Sequence, residues 1–128
     1  MNVSSTDFSR MVTGFLTDYL PLQRNYSRNT ILSYRDTLRL FIRYLTDEMM
    51  VNINRFMLKD FNRATVIGFL EWYRKNGASP SAANQRLAAL KAFAQYAQLE
   101  NVELLAPLME VSGVKSKKAP ERDISYLT

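Results

Sequence analysis

Apolar residues recur at intervals of three and four along most of the chain, the spacing that places them on one face of an α-helix. The first such stretch predicts a helix from Phe8 to Leu20. Ser5 or Thr6 can cap its start, because a side-chain oxygen at that position accepts a hydrogen bond from a free first-turn amide. Pro21, which lacks an amide hydrogen, is predicted to end this helix.

The second stretch has the clearest pattern and predicts a helix from about Arg28 to Asp47, with Ser27 as its N-cap. Its buried face is one continuous stripe made of Ile31, Tyr34, Leu38, Phe41, Ile42 and Leu45. Residues 49–60 are less regular. We predict a loop there that brings four apolar side chains into the core, namely Val51, Ile53, Phe56 and Leu58.

Two further helices are delimited by strong start and stop signals. The third is predicted over Arg63 to Asn76, with Asn62 as its cap and Gly77 as the left-handed residue that closes it. Ser79-Pro80 then supplies a cap followed by a proline at the first helical position. The fourth helix continues from there to about Gln98.

No strand pattern competes with these helices. The sequence therefore predicts an all-α fold, a compact bundle of four main helices with room for a short fifth from Val102 to Met109. From Ser112 to Asp123 the apolar periodicity stops, and we expect an exposed basic linker.

The charge balance indicates the class of binding partner. The absence of two residue types excludes several kinds of catalytic and metal site. Lys and Arg number 17 against 12 Asp and Glu, a net charge of +5 that favours a polyanionic partner. The chain has no histidine and no cysteine. This removes the usual neutral-pH general base, the Ser-His-Asp triad and the histidine or thiolate ligands of metal sites. We therefore predict neither a metal site nor a cofactor.

The sequence also lacks membrane and export signals. No run approaches the roughly 18 consecutive apolar residues that a membrane span needs. The polar segment Met1 to Arg10 lacks the charged-then-apolar order of a signal peptide. A reducing cytoplasm fits this composition.

The outward faces of the second and fourth predicted helices carry the candidate functional residues. Opposite the buried stripe of the second helix lie Asn29, Ser33, Asp36, Leu40 and Arg43, with Arg28, Arg35 and Arg39 on one flank. The corresponding face of the fourth helix has Ser81, Asn84, Gln85, Ala88, Ala92 and Gln95, with Lys91 at its edge. Amides can form paired hydrogen bonds with adenine, hydroxyls can bind phosphate, and small residues permit close approach. Such a face suits the floor of a DNA major groove.

A purely structural explanation of the same residues stays open at this point. Ser27 and Ser79 fit helix caps. Asn84, Gln85 and Gln95 fit solvated helix positions, and the arginines of the second helix fit an ordinary charged face. The aromatic residues fit core packing better than base stacking, since most fall on the buried stripes.

Two segments carry a resemblance to a known family. Residues 27–38 read Ser-Arg-Asn-Thr-Ile-Leu-Ser-Tyr-Arg-Asp-Thr-Leu, followed by Phe41 and Leu45. Residues 77–93 read Gly-Ala-Ser-Pro-Ser-Ala-Ala-Asn-Gln-Arg-Leu-Ala-Ala-Leu-Lys-Ala-Phe. These segments resemble the tyrosine recombinase (phage integrase) signatures Ser-x-x-Thr-x-x-x-Tyr-x-x-x-Leu-x-x-Phe and small-Ser-x-x-Thr/Ser-x-Asn-x-Arg-Leu-Ser/Ala-Ala-Leu-Arg-x-Phe.

Two more segments extend the resemblance over nearly the whole chain. Ala64 to Lys75 lies where that family has a helix ending in an aromatic and basic pair. Lys117-Lys118-Ala119-Pro120 and Ile124 to Thr128 are similar to its interdomain linker and to the Leu-Thr that opens its catalytic domain. The chain thus resembles the N-terminal core-binding (SAM-like) domain of these recombinases. Residues 1–111 would form that domain, and residues 112–128 a basic linker to a catalytic domain outside this chain.

The resemblance implies a DNA clamp in which the second and fourth helices cross the major groove. It implies DNA contacts from Arg28, Asn29, Thr30, Ser33, Ser79, Ser81, Asn84, Gln85, Lys91, Lys115, Lys117 and Lys118. Tyr34 and Arg86 also match the signatures, but the helical wheel turns both toward the core, where packing or a buried hydrogen bond is expected.

The same resemblance places strand cleavage elsewhere. In this family a tyrosine nucleophile acts among arginines, a lysine and histidines of the second domain. This chain has no histidine, and Tyr126 is interpreted as a linker or helix-entry aromatic, so we expect no cleavage by this chain alone. The implied partners are double-stranded DNA and other recombinase protomers in the cytoplasm and nucleoid of a prokaryotic cell, with no membrane and no small-molecule substrate.

Two other classes of function remain in competition. A helical protein-interaction module could dock through Leu40 or Met49-Met50. A stand-alone helix-turn-helix regulator fits the short Gly77 to Pro80 turn. The long connection between the second and third helices disfavours the regulator, because that motif uses a turn of about 3–4 residues.

Overall fold

A computed structural model describes residues 6–116 of the protein, which contain helices and no β-strand. The α-helices are α1 (Asp7–Gly14), α2 (Arg28–Arg43), α3 (Arg63–Lys75), α4 (Pro80–Glu100) and α5 (Leu105–Ser112). The all-α fold class, with four main helices and a shorter fifth, is confirmed. None of these helices is long and apolar enough to cross a membrane.

The first helix does not end at Pro21, so that prediction was wrong. α1 begins after Thr6, whose hydroxyl accepts a hydrogen bond from the Ser9 amide at 3.1 Å. π-Helical turns then carry it through Pro21 to Gln23. Proline collides with the carbonyl four residues earlier in an α-helix, whereas hydrogen bonds in a π-turn run to the fifth residue back. Arg24, for example, donates from its amide to the Tyr19 carbonyl at 2.9 Å.

The second helix matches its prediction to within one residue. α2 begins after Ser27, which accepts a hydrogen bond from the Thr30 amide at 3.2 Å, and π-helical turns over Tyr44–Glu48 extend it. Phe56 and Leu58 of the following loop are buried, as predicted. The Leu58 amide donates to the Asp7 carboxylate at 2.7 Å, which fastens this loop to the start of α1.

The third and fourth helices also begin at their predicted caps. Asn62 accepts from the Thr65 amide at 3.0 Å, and Ser79 accepts from the Ala82 amide at 3.0 Å. Gly77 has φ 101°, the left-handed conformation predicted for it. α5 is preceded by a 3₁₀ turn over Val102–Leu104 and runs three residues beyond the predicted Met109.

The structured region reaches past the predicted domain boundary. Ser112 is the last residue of α5, and Val114 is buried in the core, although the sequence led us to expect an exposed linker from Ser112 onward. Val114 makes this apolar contact with the core. A single apolar residue beyond the end of α5 is too short a stretch to show a helical periodicity in the sequence. The division of the chain into a domain and a linker stays a prediction.

Phenylalanine rings form the centre of the core. The Phe8 ring lies 5.7 Å from Phe93 and 6.4 Å from Phe41, and the Phe61 ring lies 5.2 Å from Phe93, mostly in edge-to-face arrangements. These rings join α1, α2, α4 and the loop before α3. Leu40 also packs against this core, so the expectation that it is exposed was wrong.

At two glycines, the end of a tyrosine side chain lies in the space that a Cβ atom would occupy. A Cβ atom added at Gly14 would lie 2.6 Å from the Tyr96 hydroxyl oxygen, and one at Gly68 would lie 2.6 Å from that of Tyr44. Real Cβ atoms do not come this close to a neighbour. Tyr96 has little room to move, because its ring packs 5.6 Å from Phe15 and 4.7 Å from Tyr19.

We therefore expect Gly14→Ala to destabilise the protein. Overpacking a core costs about 1–3 kcal/mol, which exceeds the roughly 0.5–1 kcal/mol that alanine gains over glycine inside a helix. Urea unfolding measures the difference. In a Tyr96→Phe background the clashing oxygen is gone, and Gly14→Ala should become neutral or slightly stabilising. An equal loss of stability in both backgrounds would contradict this explanation.

Candidate nucleic-acid interface

The outward faces of α2 and α4 meet in a polar groove of about 340 Å³, hereafter the α2–α4 groove. It is lined by Asn29, Leu32, Ser33, Asp36 and Thr37 of α2 and by Gln85 and Arg86 of α4. The exposed positions Asn29, Ser33, Asp36 and Gln85 are those that the helical pattern turned outward. Residues from two separate sequence segments thus share one surface.

A hydrogen-bonded arginine closes the floor of this groove. Arg86 donates from Nη1 to the Thr37 hydroxyl at 2.9 Å and from Nε to the Tyr73 hydroxyl at 3.3 Å. Its guanidinium also lies 5.5 Å from the centroid of the Tyr73 ring. Thr37 is buried, so this contact ties α2 to α4 and α3 inside the fold. Of the two roles expected for Arg86, packing or a buried hydrogen bond, the structure shows part-buried hydrogen bonds.

Tyr34 also packs inward, as its helical position predicts. Its ring stacks on Phe15 at a centroid distance of 5.9 Å and meets Tyr26 edge-to-face at 6.1 Å. Burial raises the pKa of the Tyr34 hydroxyl, because the charged phenolate is disfavoured away from water. Its hydroxyl is therefore neutral at physiological pH.

The structure divides the predicted residues of α4 between two grooves. Gln85 lines the α2–α4 groove, whereas Asn84 lines a larger groove of about 800 Å³ beside α3. Successive helical residues point about 100° apart, which accounts for the division. Ser81 and Ala88 are exposed on the ridge between the grooves, while Ala92 packs against the core and not outward as expected.

The other predicted residues occupy varied positions. Arg28 is exposed at the start of α2, and Thr30 is half-buried, with its hydroxyl accepting from Ser27 at 3.0 Å. Ser79 is the cap of α4, and Lys91 is half-buried on that helix. Lys115 is exposed at the larger groove, and Lys117 and Lys118 lie outside the described residues.

The sequence patterns missed a basic rim around the larger groove. Arg63, Arg74 and Lys75 of α3 line it together with Lys115, against the single acid Glu71. Arg74 is fixed in place, since its Nε donates to the Ala78 carbonyl at 2.9 Å. The sequence signal for this rim was the aromatic and basic pair expected at the end of the third helix. That pair had been interpreted only as a marker of where the helix lies in the chain.

The groups that line the two grooves are suited to binding a polyanion. Amides, hydroxyls and cations can donate and accept hydrogen bonds around a polyanion. Among residues 6–116, no group of three or more potential ligands from Asp, Glu, His or Cys could hold a metal ion.

Comparison with known proteins adds two findings. The family model for the phage integrase N-terminal SAM-like domain matches residues 13–101. A protein of Sinorhizobium fredii (strain NBRC 101917 / NGR234), provisionally named integrase/recombinase y4rC, is 28% identical over 119 residues, which cover 92% of this chain. The chain spans 36% of the length of that relative. No solved structure gives a significant match.

The Arg86 contact leads to a stability prediction. Thr37→Val keeps the shape of the side chain but removes the acceptor of the Arg86 Nη1 hydrogen bond. Because hydrogen bonds to charged groups contribute about 1.5–3 kcal/mol, we expect a loss of that order in chemical denaturation. Thr13→Val, at an exposed position of α1, is the matched control and should change stability by less than about 0.5 kcal/mol. If Thr37→Val and Thr13→Val reduce stability equally, the Arg86–Thr37 hydrogen bond does not make the proposed contribution.

Proposed function

Since the chain belongs to the phage integrase N-terminal SAM-like family, we propose that it binds double-stranded DNA with the outward faces of α2 and α4 in the major groove. The observation that carries this proposal is the α2–α4 groove, where Asn29 and Ser33 face the same space as Gln85. An α-helix fits the width of the major groove, and both helices have small or hydrogen-bonding side chains on that side.

The central groove residues have the chemistry for reading base edges. In the proposal, Asn29 and Gln85 form paired hydrogen bonds with adenine, and Ser33 bonds to whichever base edge lies opposite. Asp36 would repel phosphate but can accept a hydrogen bond from the cytosine amino group. Arg86 also lines this groove, but its guanidinium is hydrogen-bonded within the fold, so the amides, hydroxyl and carboxylate that remain favour base contacts over backbone contacts.

The cationic residues lie around this centre and are assigned to the backbone. Arg28, at the start of α2, and Lys91, on α4, would neutralise phosphates on either side, with Ser79 and Ser81 donating hydrogen bonds at the start of α4. Asn84 would contact the strand that passes the larger groove. The three linker lysines Lys115, Lys117 and Lys118 would follow the backbone beyond it.

The longer protein is proposed to be a tyrosine recombinase. The relative in Sinorhizobium fredii carries an integrase/recombinase name and is much longer than this chain. In this proposal, the helical domain and a catalytic domain close around DNA, and the catalytic domain supplies strand cleavage. The described domain then needs no cofactor, and its protein partners are other protomers on the same DNA.

A protein-interaction role has one observation in its favour. Four large apolar side chains around the end of α4 and α5 are exposed, namely Leu99, Val102, Leu105 and Met109. Exposed apolar side chains mark protein contacts where they form a contiguous patch. This surface does not coincide with the α2–α4 groove, so a protomer contact and DNA binding can coexist.

Salt dependence distinguishes DNA binding from a protein-interaction role alone. We expect the chain to bind mixed-sequence duplex DNA at low salt, and log K to fall linearly with log salt concentration by about 0.9 per phosphate contact. Fluorescence anisotropy with a labelled duplex measures both quantities. Absence of binding near ~50 mM salt, where phosphate contacts are much stronger than at ~200 mM, would falsify the proposed function.

Lys91→Ala and Gln85→Ala should separate backbone contacts from base contacts. Lys91→Ala should weaken binding to every duplex and lower the salt slope by about 0.9, because one phosphate contact is lost. Gln85→Ala should cost about 1–3 kcal/mol on a duplex selected by the wild-type chain from a random pool, and much less on unrelated duplexes.

Two exposed residues of the loop before α3 give matched controls. Lys59→Ala removes the same charge as Lys91→Ala, and Asn54→Ala removes an amide as Gln85→Ala does. Neither should alter binding appreciably. If Lys91→Ala and Gln85→Ala have the same effect on all duplexes, the assignment of separate roles is wrong.

A further inference from the structure

An arginine outside both grooves is held by tyrosine hydroxyls. Arg24 follows the π-helical end of the first helix, and its Nη2 donates to the Tyr26 hydroxyl at 3.0 Å. Its Nη1 donates to the Tyr19 hydroxyl at 3.5 Å, and its guanidinium carbon lies 5.1 Å from the centroid of the Tyr26 ring. We call Tyr19, Tyr26 and Tyr34 the tyrosine cradle.

The cradle is anchored in the core and is therefore a firm support. Tyr34 stacks on Phe15, which is completely buried, and Tyr26 packs against Tyr34. Tyr19 lies 4.7 Å from Tyr96. The chain reverses at Asn25, which has φ 53°, and the Tyr26 amide donates to the Leu20 carbonyl at 3.0 Å. The two hydroxyls that meet Arg24 are thus fixed by backbone and ring contacts together.

The charge of Arg24 is not neutralised by these contacts. Phenol hydroxyls are neutral, and among residues 6–116 no carboxylate lies within salt-bridge distance of this guanidinium. Arg43, by comparison, pairs with Asp47 at 3.7 Å. The hydrogen bond to the Tyr19 hydroxyl is the largest cause that raises the pKa of Arg24 above its usual value. Arg24 is thus an exposed, fully charged cation in a defined orientation.

Arg24 is close in the chain to the surface proposed to meet DNA. It precedes Ser27, the cap of α2, by three residues, and Asn29 in the first turn of α2 lines the α2–α4 groove. A guanidinium has five N–H donors in a planar fork that matches the oxygens of a phosphate. The two hydrogen bonds to the cradle leave donors for an external anion.

We infer that the tyrosine cradle orients Arg24 to bind a DNA backbone phosphate beside the N-terminal end of α2. This inference rests on the proposed function and adds a contact that neither helix signature contains. Holding the guanidinium in advance reduces the conformational entropy lost on binding, which is the advantage of the cradle over a free surface arginine. Arg24 is the phosphate ligand, and Tyr19 and Tyr26 are positioning residues.

The test compares the full 128-residue chain with single variants in duplex titrations over a range of salt concentrations. Arg24→Ala should weaken binding to all sequences about tenfold and reduce the salt slope by about 0.9. Arg24→Gln keeps the stem and a hydrogen-bond donor for the cradle, and it should give the same loss of slope. Tyr26→Phe keeps the ring and the charge, so it should weaken binding about threefold while the slope stays unchanged.

Arg55→Ala is the matched control, since it removes one exposed positive charge from the loop before α3. It should change neither affinity nor slope appreciably. The inference is overturned if Arg24→Ala or Arg24→Gln binds like Arg55→Ala, or if Arg24→Ala lowers the melting temperature alone, as a mere helix-end contact would. Failure of the wild-type chain to bind duplex DNA would instead contradict the proposed function itself, so the two failures are distinguishable.

Discussion

The hydrogen bonds of Arg86 hold the candidate surface together. A half-buried guanidinium is costly unless its donors find acceptors, and Thr37 and Tyr73 supply acceptors from two other helices. Helix α4 therefore has a fixed rotation and depth relative to α2 and α3. That rotation determines which residues of α4 face the α2–α4 groove and which face the larger groove beside α3. A slip of α4 by one residue would turn its side chains by about 100° and place other groups in the α2–α4 groove.

Much of the architecture was accessible from local sequence signals. Ser27, Asn62 and Ser79 each have an oxygen that accepts from an amide three residues later, and these caps fixed the start of three helices. The left-handed Gly77 marked the end of α3. Such signals depend only on neighbouring residues, so a single sequence contains them in full. The end of the first helix was missed because proline is tolerated once the turn widens to the π-helical form, in which hydrogen bonds run to the fifth residue back.

The candidate site was predictable as a set of outward residues but not as a surface. Periodicity alone separated Gln85, Asn29 and Ser33 from the core. It did not reveal that Asn84 opens onto a different groove, because that depends on where α3 and Val114 lie. Nor did it single out Arg24, whose environment is created by a chain reversal at Asn25 and by a ring from α2. Contacts between distant segments are the information that the pattern lacks.

The distribution of charge over this surface favours an arrangement in which some residues orient the DNA through its backbone and others recognise its bases. The α2–α4 groove contains exposed amides, a hydroxyl and Asp36 beside the half-buried Arg86, whereas exposed cations lie around the larger groove. A polyanion would be attracted to these exposed cations and repelled by the Asp36 carboxylate. For a double helix this arrangement brings the phosphates to the edges and the base edges to the middle. In the proposed function, an acid at the centre of this surface is accommodated because it faces base edges and not phosphates.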